Sequence, residues 1–126
     1  MRYQKTAGLL AVLFATTLSV YLVIYYLGGS GTSVAITEAR GTTFYQGRAV
    51  PNFTFDPQYV EVRVGEPIKW INLDPSNSHT VTSLDGLFDS GILQPSRTFT
   101  FRFNEVGIFD YRCSIHPWVA GKVKVG

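Results

Sequence analysis

The chain of 126 residues has few of the side chains that bind metals or form disulfides. It contains one Cys, two His and one Met, and that Met is the initiator. With a single thiol, no disulfide can form within the chain. The same scarcity excludes a binuclear centre with two bridging Cys, a haem attached through Cys-x-x-Cys-His, and any site that needs more than two His. Cys113, His79 and His116 are every Cys and every His in the chain.

An excess of charge of one sign is also absent from most of the chain. From Thr32 to Gly126 there are nine Lys or Arg and nine Asp or Glu, and the formal net charge of +2 comes from Arg2 and Lys5. There is no basic stripe and no nucleic-acid-binding motif, so we expect no nucleic-acid partner. No pair of carboxylates stands in a context that suggests acid–base catalysis, and we expect the protein not to be an enzyme.

Charged side chains are missing altogether from Thr6 to Leu27, a long apolar run. As a helix this run would be about 33 Å long, enough to cross a bilayer. Arg2 and Lys5 precede it, which predicts a cytoplasmic N-terminus. A cleaved secretory signal is the alternative, although the run is longer than a usual signal core and no Ala-x-Ala follows it.

We therefore expect a single-pass membrane protein whose C-terminal domain lies outside the cytoplasm, on the periplasmic or cell-surface side. Both readings of the apolar run agree on that location. The predicted division is a cytoplasmic N-terminus over residues 1–5, a transmembrane helix over 6–27, a Gly/Ser linker over 28–33 and a folded domain over 34–126.

The rest of the chain shows the period of two that is typical of β-strands. Val, Phe and other apolar residues alternate with polar ones, and turn residues separate short runs. No segment after Leu27 shows sustained helical periodicity. These features predict an all-β domain, a β-sandwich of about seven or eight strands. The alternating sets are Val60, Val62 and Val64; Phe99, Phe101 and Phe103; and Phe109, Tyr111 and Cys113.

The segment Cys-Ser-Ile-His-Pro-Trp-Val, from Cys113 to Val119, follows a predicted strand. His116 lies within this segment, and His79 opens a distant strand. One thiolate and two imidazoles form the equatorial ligand set of a type 1 copper site. In an oxidising compartment an unpaired thiol is a liability unless something such as a metal occupies it. Zinc could bind the same donors, but a structural zinc site needs a fourth ligand.

These segments resemble the plastocyanin and amicyanin branch of the cupredoxins. The resemblance covers the chain from about Phe53 to Val125, with its motifs in the same order. It implies a Greek-key β-sandwich, one mononuclear type 1 copper ion and service as a one-electron carrier. It also implies that His79, Cys113 and His116 are the three equatorial ligands. The segments that carry the resemblance are Trp70–Asp74 leading to His79–Val81, Phe88–Gly91 and Gly107–Pro117.

The chain departs from this pattern at the position of the axial ligand. The family's axial Met falls three residues after the second His, where this chain has Val119. Losing a donor disfavours the more highly charged Cu(II), so we expect a reduction potential above that of a Met-ligated relative. A backbone carbonyl, such as that of Ser78, or a water opposite Val119 stays an open alternative.

Two further positions bear on the site. The residue before the Cys is commonly Tyr in plastocyanins and is Arg112 here, so we expect electrons to pass through the exposed edge of His116 instead. In the family a polar residue after the first His helps to tie the two ligand loops together. Thr80 and Ser114 are the candidates for such a tie here, and two solvated hydroxyls are the alternative.

The resulting hypothesis is a membrane-tethered, monomeric cupredoxin that carries single electrons between redox partners and docks with them briefly near His116. One alternative is a protein that stores copper or delivers it to a membrane oxidase. Copper carriers usually expose several thiols or thioethers, and this chain has one thiol and no Met beyond the initiator. Another alternative is a cupredoxin-fold interaction domain whose metal is incidental.

Overall fold

A computed structural model describes residues 31–126, which form ten β-strands and contain no helix. The predicted all-β class is confirmed, but the predicted number of seven or eight strands was too low. Three of the ten strands have only two or three residues, too few for a period of two to show in the sequence. The strands are β1 (Thr32–Glu38), β2 (Thr43–Tyr45), β3 (Arg48–Val50), β4 (Phe53–Asp56), β5 (Tyr59–Val62), β6 (Pro67–Asn72), β7 (Thr82–Ser83), β8 (Thr98–Arg102), β9 (Gly107–Arg112) and β10 (Ala120–Val125).

The first strand begins inside the segment predicted to be a linker. Thr32 and Ser33 pair with Ile68 and Lys69 of β6 in a parallel ladder, so their backbone groups belong to a sheet. The predicted membrane anchor, residues 6–27, lies outside the described residues. Within residues 31–126 there is no helix that is long and apolar enough to cross a membrane.

Eight of the strands form two four-stranded sheets, in the orders β4-β1-β6-β8 and β5-β10-β9-β7. Side chains alternate along each strand, and the inner faces of the two sheets form the main core. Ala35 and Ile71 of the first sheet are buried in a smaller, separate cluster with the partly buried Leu73. Trp70 of the first sheet and Tyr111 of the second meet between them, with ring centroids 5.5 Å apart. The chain is therefore a sandwich with one core between its sheets, which is what the sequence predicted.

In two of the alternating sets, not every apolar residue is buried as the period of two predicts. The strand with Val60 and Val62 stops at Val62, and Val64 is 47% exposed. Among the Phe set, Phe103 is buried, whereas Phe99 and Phe101 are partly buried and pack against the edge of the core. A period of two thus located these strands but did not show where each one leaves the core.

A hairpin formed by β2 and β3 stands apart from the two main sheets. Its two-residue loop has positive φ at Gln46 and Gly47, 50° and 76°, as the common tight hairpin turn requires. Tyr45 of this hairpin lies 5.5 Å from the ring of Trp118, between centroids. The indole N–H of Trp118 donates to the carbonyl of Pro51, just after β3, at 2.9 Å. The hairpin therefore packs against the loop that contains His116.

Gly121 of β10 leaves the space that the ring of Tyr111 occupies. A Cβ at this position would lie 2.5 Å from the Tyr111 hydroxyl oxygen, and Tyr111 is buried and packed against Phe55. We expect Gly121→Ala to lower the free energy of unfolding by about 1–3 kcal/mol, the usual effect of overpacking a core.

Urea denaturation of the full chain would measure this loss. Gly31→Ala is the control, because its Cβ would have no neighbour closer than the Pro67 carbonyl oxygen at 3.8 Å. Equal stabilities for the two variants would contradict the prediction.

Candidate metal centre

Two loops at one end of the sandwich bring the three predicted ligands together. His79 follows β6 and pairs with Leu93 through two backbone hydrogen bonds of 3.1 and 2.8 Å. Cys113 directly follows β9, and His116 lies three residues later. The Cys113 sulfur is 3.8 Å from Nδ1 of His79 and 3.7 Å from Nδ1 of His116. One donor atom from each residue thus lies within 4.8 Å of the other two, close enough for one ion to bind all three.

Backbone hydrogen bonds close the loop from Cys113 to Val119. The Cys113 N–H donates to the Val119 carbonyl, and the Val119 N–H donates to the His116 carbonyl, both at 2.9 Å. Val119 is 1% exposed and belongs to the main hydrophobic core. The loop is therefore anchored by its last residue as well as by its first, which fixes the position of His116 between them.

The predicted tie between the two ligand loops is confirmed. Oγ1 of Thr80 accepts the Ser114 N–H at 2.7 Å and lies 2.9 Å from the Ser114 hydroxyl oxygen. The Thr80 N–H donates to the sulfur of Cys113 at 3.3 Å. Thr80 is buried, so the alternative of two solvated hydroxyls is wrong. These bonds hold Thr80, the residue after His79, against Cys113 and Ser114.

The two imidazoles differ in their access to solvent. His79 is fully buried, whereas His116 is half-buried. The His116 ring packs against Trp118, with centroids 5.3 Å apart. This agrees with the expectation that His116 has an exposed edge.

Phe53 is part of the site, although the sequence did not single it out. Its ring centroid lies 4.8 Å from that of His79 and 4.9 Å from that of His116. Phe53 is buried and begins β4. It contributes an apolar wall that contacts both imidazoles. Nothing in the local sequence distinguishes it from other strand Phe residues, because its position depends on the long-range pairing of β4 with β1.

Asp74 is a second residue at the site to which the sequence alone assigned no role. Its Oδ2 lies 2.9 Å from Nε2 of His79, the ring nitrogen that does not face the sulfur. The carboxylate is only 3% exposed. A buried imidazole needs a hydrogen-bond partner, and an Asp five residues earlier in the same loop is the sequence signal that could have identified it.

Ionisation of the site follows from these contacts. Burial raises the pKa of the Cys113 thiol, but hydrogen bonds from His79, the Thr80 N–H and His116 outweigh burial and lower this pKa to about 6. Burial lowers the pKa of His79, but Cys113 and Asp74 together raise it above its ordinary value. These contacts favour the thiolate, the form of Cys that binds metals.

We expect the thiol of the metal-free chain to ionise as the pH is raised through about 6. Because an unfolded Cys ionises at about 8.5, ionisation of Cys113 stabilises the folded chain at and above that pH. This contribution is lost as the pH falls through the folded pKa. The ultraviolet absorbance of the thiolate, with the Cys113→Ser chain subtracted, would measure the pKa. A midpoint near the ordinary value would contradict the prediction.

Known proteins resemble this chain in sequence and in fold. No protein-family profile matches the chain. Amicyanin-alpha of Methylorubrum extorquens is 28% identical over 120 residues, which cover 91% of this chain and 98% of that protein. Amicyanin of Paracoccus denitrificans is 29% identical over 80 residues, and the matched region spans 61% of its length.

Solved structures show the same fold. A purple cupredoxin from Nitrosopumilus maritimus superposes with a TM-score of 0.61 at 29% identity, over 75% of this chain and 99% of that one. A reduced Cu(I) form of an amicyanin variant gives a TM-score of 0.60 at 22% identity, over 78% and 84% of the two chains. Together, the comparisons show a sequence similar to those of amicyanins and, over the described residues, an all-β, cupredoxin-like sandwich.

Proposed function

We propose that this cupredoxin-like chain is a type 1 copper protein that carries one electron at a time between redox proteins and is not itself an enzyme. The observation that carries the proposal is the convergence of one sulfur and two imidazole nitrogens within 4.8 Å at one end of the sandwich. His79, Cys113 and His116 would hold one mononuclear copper ion. When bound, copper would supply the reversible step between Cu(I) and Cu(II).

The donor set fits copper better than it fits structural zinc. A soft thiolate and two imidazoles suit both oxidation states of copper. No fourth His, Cys, Asp or Glu joins the cluster within residues 31–126, and the position of the family's axial ligand is occupied by the apolar side chain of Val119. A structural zinc site would lack one of its four ligands.

The supports around the ligands suit electron transfer because they limit movement. Backbone bonds close the Cys113–Val119 loop, and Thr80 ties that loop to His79. A site whose ligands keep their positions adds little rearrangement to the barrier when the charge of the metal changes. Ligands held in this way favour a permanent redox centre over a site that must open to release its metal.

We place the docking surface for redox partners around His116. This imidazole is the more accessible of the two, and the neighbouring Ile115 is 43% exposed. Small apolar surfaces of this kind suit the weak, brief contacts that are typical of electron-transfer encounters. The chain would act as a monomer, with a donor and an acceptor using the same surface in turn.

We also propose that residues 6–27 anchor the chain in a membrane and that the domain lies outside the cytoplasm. The support is the uncharged run preceded by Arg2 and Lys5. A tether would raise the effective concentration of the domain near membrane-bound partners. In fractionated cells the full chain should stay with the membranes and its domain should be open to external protease. Recovery of a shortened, soluble chain would indicate a cleaved signal instead.

The test of the copper proposal is the visible absorption and EPR spectrum of the full chain, kept in mild detergent, after addition of Cu(II). An intense thiolate-to-copper band that bleaches with ascorbate and returns on oxidation is the expected result. A colourless or weakly absorbing product would overturn it. Competition with a Cu(I) chelator would then separate the carrier from a copper-delivery protein, since rapid and complete loss of copper indicates delivery.

A further inference from the structure

The imidazole of His79 lies between two acidic groups that contact its two nitrogens. Nδ1 faces the Cys113 sulfur at 3.8 Å, and Nε2 faces Oδ2 of Asp74 at 2.9 Å. Both His79 and Asp74 are buried, at 0% and 3% exposure. Which nitrogen carries the proton therefore decides whether Nδ1 can bind a metal, because an imidazole nitrogen that binds a metal must not be protonated.

Every described neighbour of the Asp74 carboxylate is a hydrogen-bond donor. Its Oδ1 accepts the backbone N–H groups of Ser76 and Asn77, at 2.9 and 3.0 Å. The side-chain amide of Asn77 donates to both oxygens, at 3.3 and 3.0 Å. An ionised carboxylate has no proton to give. The 2.9 Å contact with His79 is therefore a hydrogen bond only when Nε2 is protonated.

We propose that Asp74 is the positioning residue that keeps a proton on Nε2 of His79, leaves Nδ1 for the metal, and lowers the reduction potential of bound copper. The inference rests on the proposed function. A carboxylate partner makes the metal-binding nitrogen of a His more basic. The negative charge also favours Cu(II) over Cu(I), so Asp74 and the donor-free Val119 act on the potential in opposite directions.

Asp74→Asn tests this role because it keeps the shape of the side chain and changes only the chemistry. If the amide oxygen stays on the Ser76 and Asn77 N–H groups, the amide NH₂ faces Nε2 of His79. Nε2 must then accept, and the ring proton moves to Nδ1, where it blocks the metal. If the amide turns over, its NH₂ faces two backbone donors instead. In both cases the Asn side chain cannot accept hydrogen bonds from the Ser76 N–H, the Asn77 N–H and the His79 Nε2–H at the same time, as the carboxylate does.

The experiment compares copper affinity and reduction potential in the full chain, its D74N variant and a D89N control. We expect D74N to bind Cu(II) about 10- to 100-fold more weakly, the usual effect of losing the partner of a metal-bound His. We also expect its potential to rise, because Cu(I) should lose less affinity. Each factor of ten by which the loss of Cu(II) affinity exceeds the loss of Cu(I) affinity raises the reduction potential by about 59 mV.

Asp89 is a suitable control because it is an exposed carboxylate that bonds to the Thr82 hydroxyl at 3.2 Å and to the Gly91 N–H at 2.9 Å, and to no described His. D89N should leave both quantities unchanged. An unchanged or lower potential in D74N would overturn the role of Asp74. Absence of the thiolate-to-copper band in the unaltered chain would instead overturn the proposed function, so the two failures are distinguishable.

A second measurement needs no substitution and covers the case in which D74N does not fold. In the Cu(I)-loaded full chain, NMR should show an Nε2–H proton on His79 that exchanges slowly with water, since a buried carboxylate holds it. The corresponding proton of His116, whose ring is half-buried, should exchange faster. Fast exchange at His79 would contradict the proposal.

Discussion

Replacing Cys113 with Ser should abolish the intense visible absorption of the copper-loaded chain and weaken its copper binding by well over the roughly 100-fold that loss of a supporting residue causes. The band requires a thiolate, and this chain has no second thiol that could replace the first. The low pKa of Cys113, about 6, makes the thiolate available to the metal at neutral pH. A serine hydroxyl at the same place would stay protonated and is a poor ligand for Cu(I).

The visible spectrum and a copper titration of C113S would measure both effects. Thr98→Ala is the control, because it removes an exposed hydroxyl of β8 that makes no described contact with the three donor residues. Circular dichroism would establish that both variants are folded. A band of unchanged intensity in C113S would show that the sulfur is not a ligand, and with it the electron-carrier proposal would fail.

Replacing Val119 with Met should lower the reduction potential of the bound copper. A thioether at this position would add a weak donor, and a donor stabilises Cu(II) more than Cu(I). If the ratio of the two affinities changes by a factor of ten, the potential falls by about 59 mV. We expect a shift of at least that size.

Val119→Leu is the matched control for this experiment, because it adds bulk at the same buried position without a sulfur donor. Voltammetry on both variants separates the effect of the donor from that of overpacking. V119L should keep a potential equal to or above that of the unaltered chain. A potential for V119M that equals or exceeds the original would contradict the expectation from the sequence.

The candidate ligands could be predicted because the chain offers so few alternatives. The chain has no other Cys or His besides Cys113, His79 and His116. The order of these residues and the strands around them match the ligand pattern of the cupredoxins. The all-β class was predictable for a similar reason, since a period of two recurs in several runs. Both inferences use information that is local in the sequence.

Beyond the predicted Thr80 and Ser114, the supporting residues could not be predicted in the same way. Phe53 reaches the imidazoles because β4 pairs with β1. The indole of Trp118 bonds to Pro51, just after the hairpin and 67 residues away in sequence. Asp74 stands five residues before His79, which is a local signal, but its carboxylate reaches the imidazole only because hydrogen bonds to backbone groups set the path of the loop. Such positions depend on tertiary contacts that leave no periodic trace in the sequence.

Trp118, which packs against the β2–β3 hairpin, gives the protein a fluorescent reporter next to the candidate metal site. The chain has two Trp residues. Trp70 is fully buried in the core, whereas Trp118 is half-buried beside the His116 ring, 5.3 Å away between centroids. Their fluorescence should therefore differ in wavelength, with Trp70 emitting at the shorter one. Occupation of the site should quench Trp118 by proximity, so one emission spectrum can report on folding and on metal content separately.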